Sequence, residues 1–175
     1  MGKTTKHPPV KLIVGFIFKN SPTLKDALAA LEKRFGKIDF ESKPLRFAHT
    51  DYYEKEMGRG LMRIFVSFKN LILPSDLARV KICTNRIEGK FLSGKNRLIN
   101  IDPGYLELPK LVLATTKDFN HRIYLKEGIF AEVTLYYTHK TFRPWVWTYP
   151  DYRTQGYLGI FNKIREIYES QIKNI

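Results

Sequence analysis

Hydrophobic residues along the chain follow two periods, and the switches between them mark the elements. Val10–Phe18 is apolar at nearly every position, with Leu12, Val14, Phe16 and Phe18 on one side and Ile13 and Ile17 on the other. A strand with two apolar faces must be covered on both sides, so this segment predicts a central strand. Leu24, Ala27, Leu28, Leu31 and Phe35 then recur at helical spacing. Ser21-Pro22 supplies the start, with serine as cap and proline at the first helical position, and Gly36 supplies the stop. Residues 38–47 alternate in two short bursts split by Pro44, the pattern of an edge strand. A polar connection through His49, Thr50, Asp51 and Tyr52 follows. Residues 61–69 alternate cleanly, with Ile64, Val66 and Phe68 on one face and Arg63, Phe65, Ser67 and Lys69 on the other. Pro74-Ser75-Asp76 opens a second helix whose stripe is Leu77, Val80, Thr84 and Ile87, and residues 97–101 read as a fourth strand.

This order, β-α-β-β-α-β with short connections and right-handed crossovers, predicts a ferredoxin-like half over residues 10–101. Residues 1–9 form a basic, flexible lead-in, and residues 102–175 extend the same single domain. In that extension, residues 106–116 suit a strand or a short helix equally. Residues 122–125 and 129–137 predict a hairpin. A two-residue loop would set Ile123 against Glu132. A three-residue loop, Lys126-Glu127-Gly128 with a left-handed glycine, pairs Ile123 with Ala131, Tyr124 with Phe130 and Arg122 with Glu132, and is preferred. Tyr157, Phe161, Ile164 and Tyr168 mark a C-terminal helix. The class is therefore α+β: a ferredoxin-like half extended by a β-hairpin and a C-terminal helix.

Charge changes the picture. The chain has 30 Lys+Arg against 17 Asp+Glu, a formal net charge of +13. Residues 1–100 carry +11 of it and residues 101–175 only +2. Arg79, Lys81, Arg86, Lys90, Lys95 and Arg97 form a basic ribbon broken by one acid, Glu88. Nucleic acid favours such a ribbon because each neutralised phosphate releases counterions. Arg59-Gly60 before Phe65-Val66-Ser67-Phe68 echoes RNA-recognition sheets, but the spacing is wrong and a core strand is the better reading. Gly2-Lys3-Thr4 and Gly94-Lys95 lack the spacing of a phosphate loop. A lone Cys83 excludes a disulfide framework and a multi-cysteine zinc site. With no apolar run long enough for a signal peptide or a membrane span, a cytoplasmic protein without membrane contact is expected.

Polar residues gather between residues 100 and 153, at turns and on one strand face where a core would not want them. Asp102 falls in a predicted Pro-Gly turn at a strand end, where ligand-binding carboxylates often sit. Candidate catalytic groups are Asp102, His121, Glu132 and Asp151. Candidate ligand-binding groups are Thr116, Lys117, Arg122, Tyr124, Thr134, Tyr149 and Arg153. Each also has a plainer role: Asp102 as a turn residue, Glu132 with Arg122 as a cross-strand ion pair, Asp151 as a helix cap, and Trp145, Trp147, Tyr149 and Tyr152 as pins. The sequence specifies no cofactor, although Asp102, Glu132 or Asp151 would suit a divalent metal or a general base. If the cluster is one site, Asp102, Lys117, Arg122 and Glu132 border one concave pocket with Tyr124 or Tyr149 in its wall.

Asn100-Ile-Asp-Pro-Gly-Tyr105, Val112-Leu-Ala-Thr-Thr-Lys117, His121-Arg-Ile-Tyr-Leu125, Ile129-Phe-Ala-Glu-Val-Thr-Leu135 and Trp147-Thr-Tyr-Pro-Asp-Tyr-Arg153 together resemble an uncharacterised bacterial family, domain of unknown function 4416. The likeness runs from the first strand through essentially the whole chain. Some members of that family carry a GTP-binding label, so the resemblance implies one compact domain and a nucleotide ligand. It supplies no catalytic residues, and an Asn-Lys-x-Asp guanine motif is absent here. The leading expectation is a nucleic-acid-binding protein, for RNA, acting through the basic helix and the sheet surface. The alternatives are an enzyme acting on a nucleotide or phosphate ester, in which Lys117 and Arg122 hold phosphate, and an interaction module for an acidic protein. Whether it is an enzyme, and its oligomeric state, are open at this level.

Overall fold

The computed structural model describes residues 2–48, 50 and 52–173; His49 and Asp51 of the polar connection lie outside the described residues. β1 (Val10–Phe18) leads into α1 (Ser21–Phe35), edge strands β2 (Ile38–Glu41) and β3 (Leu45–Arg46), the short α2 (Glu54–Met57) and β4 (Met62–Ile72). Next come α3 (Leu77–Glu88), a small hairpin of β5 (Leu92–Ser93) and β6 (Asn96–Arg97), then β7 (Ile99–Leu106) and β8 (Lys110–Thr115). β9 (Ile123–Lys126), β10 (Ile129–Thr138), β11 (Thr141–Pro144) and α4 (Gln155–Ile172) complete the chain. One antiparallel sheet runs β11-β10-β8-β7-β1-β4-β2 through both halves, with β3 also on β4 and β9 also on β10.

Every residue of β1 is buried, as its two apolar faces require. Leu12, Val14 and Phe16 pack with Ile64, Val66 and Phe68 of β4 beneath Leu31 of α1 and Val80 and Ile87 of α3. On the opposite face Ile13, Phe65 and Leu106 meet Tyr152 and the Phe161, Ile164 and Tyr168 stripe of α4. Burying each such side chain contributes roughly 1.5–3 kcal/mol. Helix α4 is therefore the cover that the apolar second face demanded, and the faces of the central strands are closed to any sheet-surface partner. No helix of the described residues is long and apolar enough to cross a membrane.

Several boundaries differ from expectation. Asn20, not Ser21, caps α1: its side chain accepts from the Thr23 N–H at 3.0 Å, and Ser21 is already helical. Residues 106–116 resolve as a strand, β8, entered through a turn closed by Glu107 N–H on the Lys110 carbonyl. The β9–β10 hairpin pairs Tyr124 with Phe130 and Ile123 with Ala131, but its turn is the two residues Glu127-Gly128. Both have positive φ, 52° and 73°, the twist that suits a tight hairpin. A bulge at Leu125 restores the apolar register.

A polar network crosses the layers elsewhere. Lys11 is fully buried on β1 and donates to Asp39 and to Gln171 Oε1, while Ser67 donates to Asp39 at 2.6 Å. Burial pushes the Lys11 ammonium below its ordinary pKa, against the pull of the Asp39 carboxylate.

Candidate functional site

The site arises where two neighbouring strands part. β7 and β8 pair only through Gly104 with Leu113, Tyr105 with Val112 and Leu106 with Leu111. Beyond that crossing β7 stays on β1 as far as Ile99, while β8 stays on β10 as far as Thr115. Pro103 explains the break. Its backbone faces the β8 side, as that of Ile101 does by strand alternation, and it has no N–H to donate there. At the crossing itself only glycine fits, since a Cβ on Gly104 would lie 2.4 Å from the Val112 carbonyl oxygen. Pro103 and Gly104 thus sit inside β7, and Asp102 is a strand residue facing an opening rather than part of a turn.

The exposed edge of β7 is satisfied from α3. Ile101 N–H donates to Glu88 Oε2 at 2.7 Å, and Lys81 Nζ donates to the Ile101 carbonyl at 3.1 Å. Glu88 also receives Arg97 Nη1 at 2.8 Å, and Arg97 makes a two-pronged pair with Glu56 at 2.8 and 2.7 Å. Those hydrogen bonds hold the Glu56 carboxyl below the usual carboxylate range.

The gap between β7 and β8 holds a cavity of about 770 Å³. At its centre Asp102 accepts from Asn100 Nδ2 at 2.6 Å and lies 3.5 Å from Arg63 Nη1 and 3.6 Å from Lys81 Nζ. Arg63 is buried against the rings of Phe65 and Tyr152 and donates to the Tyr152 hydroxyl at 2.6 Å. Burial disfavours its charge, yet Tyr152 and Asp102 outweigh this and hold its pKa above that of ordinary arginine. Burial raises the Tyr152 and Tyr53 phenols above their ordinary pKa. Arg63 Nε and the Tyr157 hydroxyl are buried without a hydrogen-bond partner.

The opposite wall is built around Glu132, also buried. His121 Nε2 and Arg122 Nε each lie 3.0 Å from its Oε2, and the Thr134 hydroxyl donates to its Oε1 at 3.1 Å. Arg122 continues to the Tyr149 hydroxyl at 2.6 Å and to the Lys117 carbonyl at 3.0 Å. At the mouth Lys117 Nζ stands over the Tyr52 ring and reaches its hydroxyl at 3.1 Å.

The expected cluster is thereby sorted. Asp102, Thr116, Lys117, Glu132, Tyr149 and Asp151 line the cavity. Arg122 and His121 stand one contact back, on Glu132, and Thr134 supports the same carboxylate from below. Tyr124 lies on the exposed β9 against Phe130, away from the lining. Arg153 donates to the Val146 and Thr148 carbonyls, each at 2.7 Å, and so staples the aromatic segment. The cap of α4 is Thr154 rather than Asp151. Among the described residues no three of His, Cys, Asp and Glu are grouped to hold a metal ion.

The basic ribbon divides in two. Arg79, Arg86, Lys90 and Lys95 are exposed, whereas Lys81 is buried and Arg97 is engaged by Glu56 and Glu88. Arg63, Asn85, Glu88, Thr50, Tyr52 and Tyr53 line the cavity without having been singled out. A cation on the inner face of a strand and an oppositely charged pair two helical turns apart were the available signals for Arg63 and for Lys81 with Glu88.

No curated protein and no solved structure matches the chain. The family described as domain of unknown function (DUF4416) matches residues 8–168, from the approach to β1 into α4. That span includes both walls of the cleft and the segment that covers it, and the chain belongs to the DUF4416 family.

Proposed function

We propose that the cleft between β7 and β8 binds a nucleotide or another small phosphate ester. The observation that carries this reading is one cavity of about 770 Å³ with aromatic and charged groups brought together in it. Ligand pockets of drug-sized molecules occupy roughly 300–1,000 Å³ and combine apolar walls with a few fixed polar groups. Ile17, Phe47 and Leu113 supply apolar surface, the Tyr53 and Tyr152 phenols line the same space with Tyr152 held by Arg63, and Asp102 is a partly exposed acceptor held by Asn100. Lys117 at the mouth is free enough to turn from Tyr52 to an anion, because a cation on an exposed ring is held by only about 0.5–1 kcal/mol. Calorimetric titration with nucleoside monophosphates and triphosphates tests the reading. Binding that is lost in Asp102→Asn and weakened in Lys117→Ala is expected; no heat with any of them, nor with simple phosphate esters, overturns it.

Exposed cations on α3 and just past its C-terminus favour a second reading, contact with nucleic acid. Arg79, Arg86 and Lys90 take part in no ion pair among the described residues. Log affinity for single-stranded RNA should then fall with log salt by roughly 0.7 per phosphate contacted. Replacing the three together should flatten that slope, and an unchanged slope removes α3 from the contact. The strand order β7-β1-β4-β2 with α1 and α3 on one face supports reading this half as ferredoxin-like.

A further inference from the structure

Exposed apolar side chains are concentrated at one end of the sheet. Of the large hydrophobic residues that face solvent, Phe119, Ile123, Tyr124, Leu125, Trp145, Val146, Trp147 and Tyr149 all belong to the β8–β9 connection, β9, or the chain after β11. Phe119, Trp145 and Trp147 form an ordered row with His121. Trp145 and Trp147 are stacked at 5.1 Å and 10°, Trp147 stacks on His121 at 5.4 Å and 17°, and Phe119 meets His121 edge-on. Trp147 Nε1 is fixed on the Val133 carbonyl at 3.1 Å. The row is therefore held in place although Phe119 is 60% exposed and Trp147 36%.

This row leads to the cleft. His121 is bonded to Glu132 and Arg122 to Tyr149, and both Glu132 and Tyr149 line the cavity. Exposed cations lie on the same elements: Lys117 at the cavity mouth, Lys126 on the hairpin and Arg143 on β11. Trp147 turns its faces to Trp145 and His121, and Trp145 also meets Tyr136 at 4.4 Å. A ligand therefore meets the exposed parts of these rings and Phe119. Beside exposed cations and a nucleotide-sized cavity, that surface suits the bases and phosphates of a single-stranded nucleic acid. The formal charge of +13 opposes a second copy of the chain, and the nucleotide-sized cavity at the end of the row favours a polynucleotide over an acidic protein.

We propose that the aromatic row from Phe119 to Trp145 carries the bases of a single-stranded nucleic acid whose terminal nucleotide enters the cleft. It rests on the cleft being a nucleotide site, and it makes the physiological ligand a polynucleotide end rather than a free nucleotide. No bond is made or broken in this proposal.

Both tryptophans of the chain, Trp145 and Trp147, lie in the row, so intrinsic fluorescence reports on it directly. The experiment titrates the protein with an oligouridylate of about eight nucleotides, a length within the usual range for one stacking platform. Uridine monophosphate and heparin serve as comparisons. Saturable quenching by the oligonucleotide, little quenching by heparin, and affinity lowered about tenfold in Trp145→Ala are expected. Arg143→Gln, which leaves every ring in place, should weaken the oligonucleotide and leave the monophosphate unchanged. Absence of quenching at saturation, or equal quenching by heparin, overturns the proposal. So does a dimer in sedimentation that Trp145→Ala dissociates, because it assigns the row to a second copy. Monophosphate binding that persists when the oligonucleotide fails to quench removes the row and leaves the cleft standing. Binding of neither removes both.

Discussion

Lys81 and Glu88, two turns apart on α3, bracket Ile101 and make the two backbone hydrogen bonds that a strand would have made there. A helix thus replaces a sheet neighbour, and the cleft exists because β7 can end its ladder without leaving buried groups unpaired.

Glu88→Ala should therefore cost about 2 kcal/mol in chemical denaturation, since it strands the Ile101 N–H. Lys81→Met keeps the volume and should cost about 1 kcal/mol. A double variant whose loss equals the sum of the two would show that the side chains do not act on Ile101 together.

Gly104→Ala tests the crossing point. The added methyl would meet the backbone of Val112 at 2.4 Å, and backbone at a strand crossing cannot swing aside as a side-chain end does. A loss of about 3 kcal/mol is expected, with nucleotide binding impaired in whatever remains folded. Wild-type melting behaviour would place the crossing elsewhere.

These residues also show what could be read from sequence. Periodicity located β1, α1, β4, α3, the β9–β10 hairpin and the α4 stripe, because each buries a defined face and the side-chain pattern must obey it. It misread Pro103-Gly104, whose ordinary meaning is a turn, since nothing local shows that a neighbouring strand has left. It also counted Lys81 and Arg97 as surface cations. Helix α3 packs against two clusters, one with Val80 and Ile87 and one with Leu77 and Ala78, so less of its circumference faces water than one apolar stripe suggests. Arg63 was hidden for the same reason: a charge between apolar residues is understood only once Asp102 and Tyr152 are seen across from it.

Acid should act on the Arg97–Glu56 pair. Because Arg97 holds the Glu56 carboxyl below its ordinary value of 4.5, the pair stabilises the fold above that pH and loses its effect as pH falls through the lowered value. The stability difference between wild type and Glu56→Gln, measured from pH 6 down to pH 3, should shrink toward zero. A difference that stays constant would mean that the charge of Glu56 is irrelevant to the pair.

Lys11 should act at the other end of the scale. Its folded pKa lies below 10.5, so the unfolded chain binds the extra proton in the window between the two values, and stability contributed by this group rises with pH there. Lys11→Met should flatten the profile in that alkaline window; an unaltered profile would show that Asp39 and Gln171 compensate burial fully.

Glu132→Gln separates two roles of one carboxylate. The amide can keep the Thr134 contact but leaves Arg122 without its counter-charge, so a stability loss of about 2 kcal/mol is expected. Oligonucleotide quenching should weaken more than this loss explains, as His121 and Arg122, which holds Tyr149, lose their shared counter-charge.

A cleft made by diverging strands differs in its engineering from one hollowed out among loops. Strands and helices hold most of its boundary, but Thr50, Tyr52 and Tyr53 come from the connection between β3 and β4, which belongs to no ladder. The entropy of closing such a connection changes only slowly with its length. Insertions and deletions between residues 47 and 53, ahead of the Glu56 anchor on Arg97, can therefore reshape the entrance while Asp102, Arg63 and Lys81 stay in register. A change at the entrance then leaves the floor of the cleft untouched.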